Sequence, residues 1–428
     1  MIREIPLEPS SVPERVRLGE TLPASWKFVL NTPIDRGALI LALCCVPTSI
    51  AVAEFFLTIA VVARIILIAR GKERLYLPRI FWFWLVWAGA EVAVWTLSPQ
   101  PVLGWAEIRH LLLLGSLFVV MPAIGEAANC RVAWEGIFLT SSLSSLFLIG
   151  DFIWRLFYYH REIHAGGEIS LYLRSGGLLN HWMVYGTVEI IVIAGLLSWW
   201  QVYPERRRRW WPVVAIHGVA VVVSLTRTVW VTGLVLGGIQ LIWRRTKWLV
   251  ALPLLPICLY ALAPTAVRLR VTDSFDLNYY SNSERLEMLR IGWKMVREHP
   301  FTGVGPGRVD HLYLKYLVPG DPVPAWHGHL HNNLAQVAAQ FGIPVTLALL
   351  LFVVVLFHDL VKARRAAQDR NQRFVAQTAI LALVGYVLAG FFEYTYGHSL
   401  GLILLCFTVL PALPPPPSAR TSLASEKS

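Results

Sequence analysis

Seven residues, His327 to Asn333, read HGHLHNN and run directly into a long apolar stretch. Imidazole is the side chain whose unperturbed titration lies nearest neutrality, so three of them in one loop point to proton transfer, metal ligation or a structural helix entrance. His327, His329 and His331 share one side only in an extended segment, and no carboxylate or cysteine nearby completes a recognisable ligand set. The metal expectation is therefore "none". Asn332 or Asn333 suits the first position of the following helix, which sets His331 at the positive end of a helix dipole. A general base is the role that fits His331.

Cations are the second chemical element. Arg227, in VVVSLTRTVWVTG, sits in a tight turn between two very apolar stretches, where an uncompensated guanidinium is costly unless it snorkels. Arg285 opens an amphipathic pattern, and Arg174 precedes a Gly-Gly turn. Taken singly, each has an ordinary alternative as a solvated or interfacial charge. Three arginines on one face would suit a diphosphate, because the planar guanidinium forks onto phosphate oxygens. Gly303, Gly305 and Gly307 alternate in HPFTGVGPGRVD, either a plain turn or a set of amides able to cradle phosphate; the Lys-Ser/Thr ending of a nucleotide P-loop is missing. Glu189, deep in an apolar stretch, reads as a counter-ion to one arginine or as a buried hydrogen-bonded acid.

These residues must be positioned by membrane helices. Of 428 residues, 56% are hydrophobic, only 15% are charged and 18 are Trp; mean hydropathy is +0.54. That excludes a soluble domain, and unbroken apolar runs rather than alternating strands exclude a β-barrel. The fold class is all-α, a polytopic integral membrane protein. About twelve transmembrane helices are expected, near 38–52, 52–69, 78–97, 103–124, 131–157, 179–200, 211–225, 228–243, 247–264, 332–358, 374–393 and 398–413. Basic clusters at 70–79, 205–210, 244–247 and 362–373 fall in one register of the connecting loops, which places that register and both termini in the cytoplasm. The net charge of +11 is then a topology signal; split among short loops, it gives no nucleic-acid surface. No cleavable signal peptide is evident in the polar, basic first 37 residues, and five scattered cysteines suggest no disulfide.

The organisation expected is a cytoplasmic segment 1–37, nine spans over 38–264 with a periplasmic loop at about 158–178, a large periplasmic loop 265–331, three spans over 332–413 and a cytoplasmic tail 414–428. The large loop is too long to lack structure of its own. Ser281-Asn282-Ser283-Glu284 has capping-box form, and an amphipathic helix is expected over 282–298, with Leu286, Met288, Leu289, Trp293 and Val296 on the membrane surface or the bundle. A transporter would need charged residues through the mid-membrane and repeated halves, and neither is prominent.

The segment from Arg285 to Thr346, RLEMLRIGWKMVREHPFTGVGPG followed by HLHNNLAQVAAQFGIPVT, resembles the O-antigen ligase family, within the superfamily that includes O-antigen polymerases and some protein O-oligosaccharyltransferases. The likeness lies in the Arg before the amphipathic helix, the His-Pro and Gly-x-Gly turn, His331-Asn332 nine residues before Gly342, and the isolated SLTRT around Arg227. It implies an inverting, metal-independent glycosyltransferase without cofactor. Its donor would be an undecaprenyl-diphosphate-linked glycan, its acceptor a sugar hydroxyl of lipid A core, and its site the periplasmic face of a bacterial inner membrane. Polymerase, protein oligosaccharyltransferase and, less readily, transporter are the alternatives. The resemblance makes His331 the catalytic base and Arg227, Arg285 and Arg174 the diphosphate ligands. His329, Asn332 and Gly305 would support them. Oligomeric state is not legible.

Overall fold

The computed structural model describes residues 32–162, 172–318, 323–324 and 327–413. Residues 1–31, 163–171 and 414–428, and with them most of the expected N-terminal segment, part of the 158–178 loop and the tail, lie outside the described residues. The chain is all-helical there: α1 (Ile34–Cys45), α2 (Ile50–Ala69), α3 (Ile80–Leu97), α4 (Trp105–Val120), α5 (Ala127–Glu162), α6 (Trp182–Val202), α7 (Arg207–Val223), α8 (Arg227–Trp243), α9 (Leu254–Leu262), α10 (Thr265–Thr272), α11 (Tyr280–Glu298), α12 (Val309–Tyr316), α13 (Asn333–Ala366), α14 (Arg370–Gly390) and α15 (Ser399–Val409).

Each of the twelve apolar stretches maps onto a helix, but their lengths differ. Seven helices (α2 to α6, α13 and α14) are long and apolar enough to cross a bilayer, while α8 and α15 are apolar but shorter. The other three, α1, α7 and α9, run to 12, 17 and 9 residues. The 247–264 stretch is broken by Pro253 into a 3-10 turn and the short α9. The chain is thus a multi-pass membrane protein. Its centre is α6 and α14, the most buried of the long helices, whereas α2 and α13 present most of their apolar surface outward, as lipid-facing helices do.

Side-chain contacts sort the loops into two ends. At one end Arg79 pairs with Asp359 at 2.8 Å, Arg370 with Glu205 at 3.1 Å, and Tyr203 donates to Asn371 at 2.7 Å, while Arg364 lies 4.0 Å over the Trp243 ring. These contacts bring the basic clusters, or the residues directly flanking them, to one end. Along α13 from Asp359 back to Gln340 is ~28 Å at 1.5 Å per residue, close to a hydrocarbon thickness. At that opposite end lie α11, α12 and the HGHLHNN loop.

The glycine-rich turn explains itself here. Pro344 has no N–H to give Gln340 and Gly342 is non-helical (φ 81°), so α13 breaks and frees two carbonyls. Val304 N donates to Ala339 O at 2.8 Å and Gly305 N to Gln340 O at 3.0 Å, while Ile343 N turns to Pro300 O at 2.8 Å. A Cβ on Gly303 would sit 2.4 Å from the Gln340 backbone, and one on Gly342 2.5 Å from the Phe301 backbone. Two sequence features that look independent are one backbone-to-backbone dock. The amides of Val304 and Gly305 are spent on it and that of Gly303 on His299 O at 2.9 Å, which leaves the turn reading of this loop and not the phosphate cradle.

Candidate active site

Asn332 is the N-cap of α13, its Oδ1 accepting from Ala335 N at 2.9 Å. Its Nδ2 donates to Phe391 O at 2.9 Å, and Asn333 Nδ2 donates to Thr395 Oγ1 at 2.8 Å, so the two amides fasten the α13 entrance to the α14–α15 connection. That connection, FFEYTYGHS, carries Glu393. Glu393 is buried and takes two charge-assisted bonds: Arg285 Nη2 donates to Oε1 at 2.6 Å, and His331 Nδ1 lies 2.9 Å from Oε2. The expected base and one expected diphosphate ligand are therefore joined by a carboxylate 62 and 108 residues away from them in the chain.

Burial pushes the Glu393 carboxyl up, but the charge of Arg285 and the hydrogen bond and charge of His331 outweigh it and hold it below the usual carboxylate value. An ionised carboxylate only accepts, so the proton sits on His331 Nδ1 and the lone pair on Nε2. That is the tautomer of a general base, and a carboxylate behind the ring also stabilises the imidazolium that forms. His331 has a left-handed backbone (φ 48°), costly for a non-glycine residue by about 1–3 kcal/mol. The turn is held by its own N–H, which donates to His329 Nδ1 at 3.2 Å.

Three further imidazoles gather around the pair. His329 packs edge-on to His331 with centroids 4.3 Å apart and against Tyr394 at 5.2 Å. Burial, then the charge of His331, pushes His329 down to about 3. His398 is pushed down to about 4 by burial and then by His181. His181 is lowered by burial while Glu393 pulls it up. It is also the N-cap of α6, its Nδ1 accepting from Met183 N at 3.2 Å, which needs that nitrogen unprotonated. These three are neutral groups that shape the electrostatics around one anion. His327 stands apart, stacked on Tyr313 at 5.1 Å.

The other expected site residues fall as follows. Arg227 is the first residue of α8, and it donates to Asn282 Oδ1 at 2.5 Å and Ser281 Oγ at 3.3 Å. It therefore meets α11 one turn from Arg285. Ser281 does not cap that helix: α11 begins at Tyr280 with no side-chain cap, because the Ser281 hydroxyl and the Asn282 amide receive Arg227 instead. The two faces of α11 split, Met288 and Val296 buried with Tyr313 and Leu330, and Leu286, Leu289 and Trp293 exposed. Arg174 lies 5.7 Å over the Trp182 ring, whose other neighbour is His181 at 4.3 Å; it approaches the cluster through an aromatic intermediary. Gly305 belongs to the dock at Gln340, about 10 Å along α13 from its N-terminus at 1.5 Å per residue, and not to the surroundings of His331.

Glu189 is no counter-ion to an arginine. It pairs with His217 at 2.7 Å, both fully buried, with Ser141 3.2 Å from the ring's other nitrogen. The carboxylate that serves the arginine is Glu393, which the sequence reading missed. Its signal was present: an acid at the end of an apolar stretch, on the charge-poor register, is expensive unless paired. Among the described residues no three His, Cys, Asp or Glu side chains are grouped to hold a metal ion.

No curated protein matches the chain. Residues 212–350 match the family model described as O-antigen ligase, a segment that contains Arg227, Arg285, Gly305, His331 and Gly342 but neither Arg174 nor Glu393. The chain is thus a multi-pass helical membrane protein in which one segment, residues 212–350, is similar to the O-antigen ligase family, and that match supports a membrane glycosyltransferase of the ligase and polymerase type.

Proposed function

We propose that the protein is an inverting, metal-independent glycosyltransferase that moves a glycan from undecaprenyl diphosphate to a sugar hydroxyl of lipid A core. The reaction takes place at the periplasmic face of a bacterial inner membrane, with both termini cytoplasmic and no nucleic-acid partner. The observation that carries this reading is the Arg285–Glu393–His331 chain, a cation and an oriented base held by one buried anion. Nε2 of His331 takes the proton of the acceptor hydroxyl. The acceptor oxygen attacks the anomeric carbon from the face opposite the leaving group, the bond from that carbon to the diphosphate oxygen breaks, and the electron pair leaves on the diphosphate. Inversion follows from direct displacement. Glu393 takes one of the five guanidinium donors of Arg285; the others, with Arg227 and Arg174, meet the diphosphate oxygens and the charge that grows there.

The test separates base from clamp. His331→Ala lowers transfer ~100-fold to ~10,000-fold while donor binding largely persists. Arg227→Ala and Arg285→Ala weaken donor binding as well as turnover, because each cation meets negative charge in ground and transition state alike. Chelator-stripped protein keeps its turnover, and core lipid, lipid-linked glycan and peptide acceptors offered in parallel identify the acceptor class. Near-normal transfer by folded His331→Ala would overturn the assignment of the base; transfer only to lipid-linked glycan would make the protein a polymerase.

A further inference from the structure

A cationic cavity lies beside the glycine dock, on the α11 and α12 side of the bundle end. It encloses about 350 Å³, and Arg308, Lys315 and His299 line it together with the hydroxyls of Ser98 and Thr302. No carboxylate is among its lining residues. The nearest acid the histidine meets is Glu298, half exposed at 3.7 Å from Nε2, one anion against two permanent cations. Arg308 is anchored by Nη1, which donates to Val304 O at 2.8 Å, yet its Nε is buried without a hydrogen-bond partner among the described residues. A buried guanidinium N–H left unpaired costs about 1–3 kcal/mol, so a group that accepts there gains affinity without rearranging the wall. The wall itself is rigid, because Val304 and Gly305 are hydrogen-bonded to α13 and Gly303 packs against its backbone while donating to His299 O. None of Arg285, His329, His331 and Glu393 lines the cavity, so it is distinct from the candidate active site.

We infer that this cavity binds the phosphate of an anionic lipid headgroup. Two permanent cations, the Ser98 hydroxyl and an orphaned guanidinium N–H are the chemistry that receives a phosphate, the Thr302 hydroxyl being donated to Gly303 O at 3.2 Å. The source follows from the rim. Leu97, itself part of the lining, is 75% exposed at the end of α3, and Phe301, adjacent to Thr302, is likewise 75% exposed. Trp105, the first residue of α4, is half exposed nearby. Apolar and aromatic side chains beside a cationic cavity at the end of a membrane helix match a lipid, whose phosphate enters while its chains stay outside. A free phosphate ion would make no use of that rim.

The experiment uses the full chain in detergent, with retained lipid counted by native mass spectrometry. Short-chain phosphatidylglycerol is titrated beside phosphatidylcholine, and inorganic phosphate is added as competitor. The wild type retains one phosphatidylglycerol with at least tenfold preference over phosphatidylcholine, and the preference shrinks with salt. Lys315→Gln weakens retention about tenfold, as expected for one charge-assisted contact, and Arg308→Gln does the same. Because Arg308→Gln also loses the bond to Val304, Arg308→Lys serves as its control and retains part of the binding. His331→Ala binds phosphatidylglycerol like the wild type, which keeps this test separate from that of the proposed reaction. Wild-type retention by folded Lys315→Gln and Arg308→Gln, equal binding of phosphatidylcholine, or loss of the site in His331→Ala would each overturn the proposal. Displacement of the lipid by low-millimolar inorganic phosphate would overturn the lipid assignment in favour of a free-phosphate site.

Discussion

Glu393→Gln is the most informative single substitution, because it keeps volume and shape and removes only the charge. In the native site both carboxylate oxygens accept, one from Arg285 at 2.6 Å and one from His331 at 2.9 Å. A glutamine has one accepting oxygen, so its NH2 must face either the guanidinium or Nδ1–H, donor against donor. One of the two bonds is lost whichever way the amide turns. If the imidazole yields, it takes the opposite tautomer and the lone pair leaves Nε2. A hydrogen bond to a charged partner contributes about 1.5–3 kcal/mol. With the Arg285 side chain 26% exposed and Glu393 10%, solvent screening puts the loss in the lower half of that range. At 1.36 kcal/mol per decade this is roughly a 10- to 50-fold fall in turnover.

The assay is transfer from lipid-linked glycan to core-lipid acceptor, with donor affinity and thermal unfolding measured on the same preparations. Glu393 acts through other residues, so the expected signature is a fall in kcat with donor KM changed by less than about threefold, since removing an interaction made in the transition state leaves ground-state binding intact. Glu393→Asp, shorter by one methylene, reaches one partner and restores part of the rate. Glu393→Gln protein that unfolds normally and turns over within about threefold of the wild type would refute the claim that this carboxylate orients the base.

Acid should loosen the site before it unfolds the bundle. His329 and His398 are held neutral, at about 3 and about 4 against an ordinary 6.5, so their contribution to stability is complete above 6.5 and shrinks as pH falls toward those values. Each contributes a slope approaching about 1.4 kcal/mol per pH unit. The melting midpoint should therefore drop between pH 6.5 and 4.5, and His398→Asn should flatten that drop; an unchanged profile in the variant would contradict the neutral assignment. Glu393 has the carboxylate sign: held below 4.5, its contribution is present above that value and is lost at lower pH, as the same titration continued into acid should record. Gly342→Ala places a Cβ 2.5 Å from the Phe301 backbone at φ 81°, and a loss of about 2–4 kcal/mol, read as a lower melting midpoint, is expected. In a background without the five native cysteines, a cysteine at the exposed position 311 should label from the periplasm and cysteines at 207 and 368 should not, and labelling at 207 from outside would invert the proposed orientation.

The sequence made legible what is set by local composition. Apolar runs gave the membrane helices, basic loops sorted the two ends, and two asparagines before an apolar run narrowed the start of α13 to Asn332 or Asn333, of which Asn332 is the N-cap. Partnerships between distant segments were not legible, because nothing in a local window ranks them. Glu393 sat at the margin of the 374–393 stretch and looked like the end of a span; only the return of α14 to the site end sets it between Arg285 and His331. Ser281 had every local mark of a cap, but a tertiary guanidinium won its hydroxyl. The glycines of the HPFTGVGPG turn were equally suited to a phosphate and to a backbone, and Pro344 in α13 decided the matter by freeing the Gln340 carbonyl.

These fastenings also explain how a site at helix ends is kept in register. α11 is held at three places along its length: at its start by Arg227 from α8, one turn later by Glu393, and at its end where Pro300 O accepts from the broken α13. Between them Met288, Ile291 and Gly292 pack under Leu330, where a Cβ on Gly292 would come within 2.6 Å of that side chain. Leu330 adjoins His331, so the face of α11 that carries no charge sets the depth of the loop that carries the base. Arg285 and His331 are then fixed relative to each other twice, by a shared anion and by a shared apolar contact. In membrane proteins the apolar effect between helices is weak, and close packing with polar pairs supplies the specificity. The same arrangement gives Arg227 two roles: it places a cation near the proposed diphosphate and it pins the start of the helix that bears Arg285.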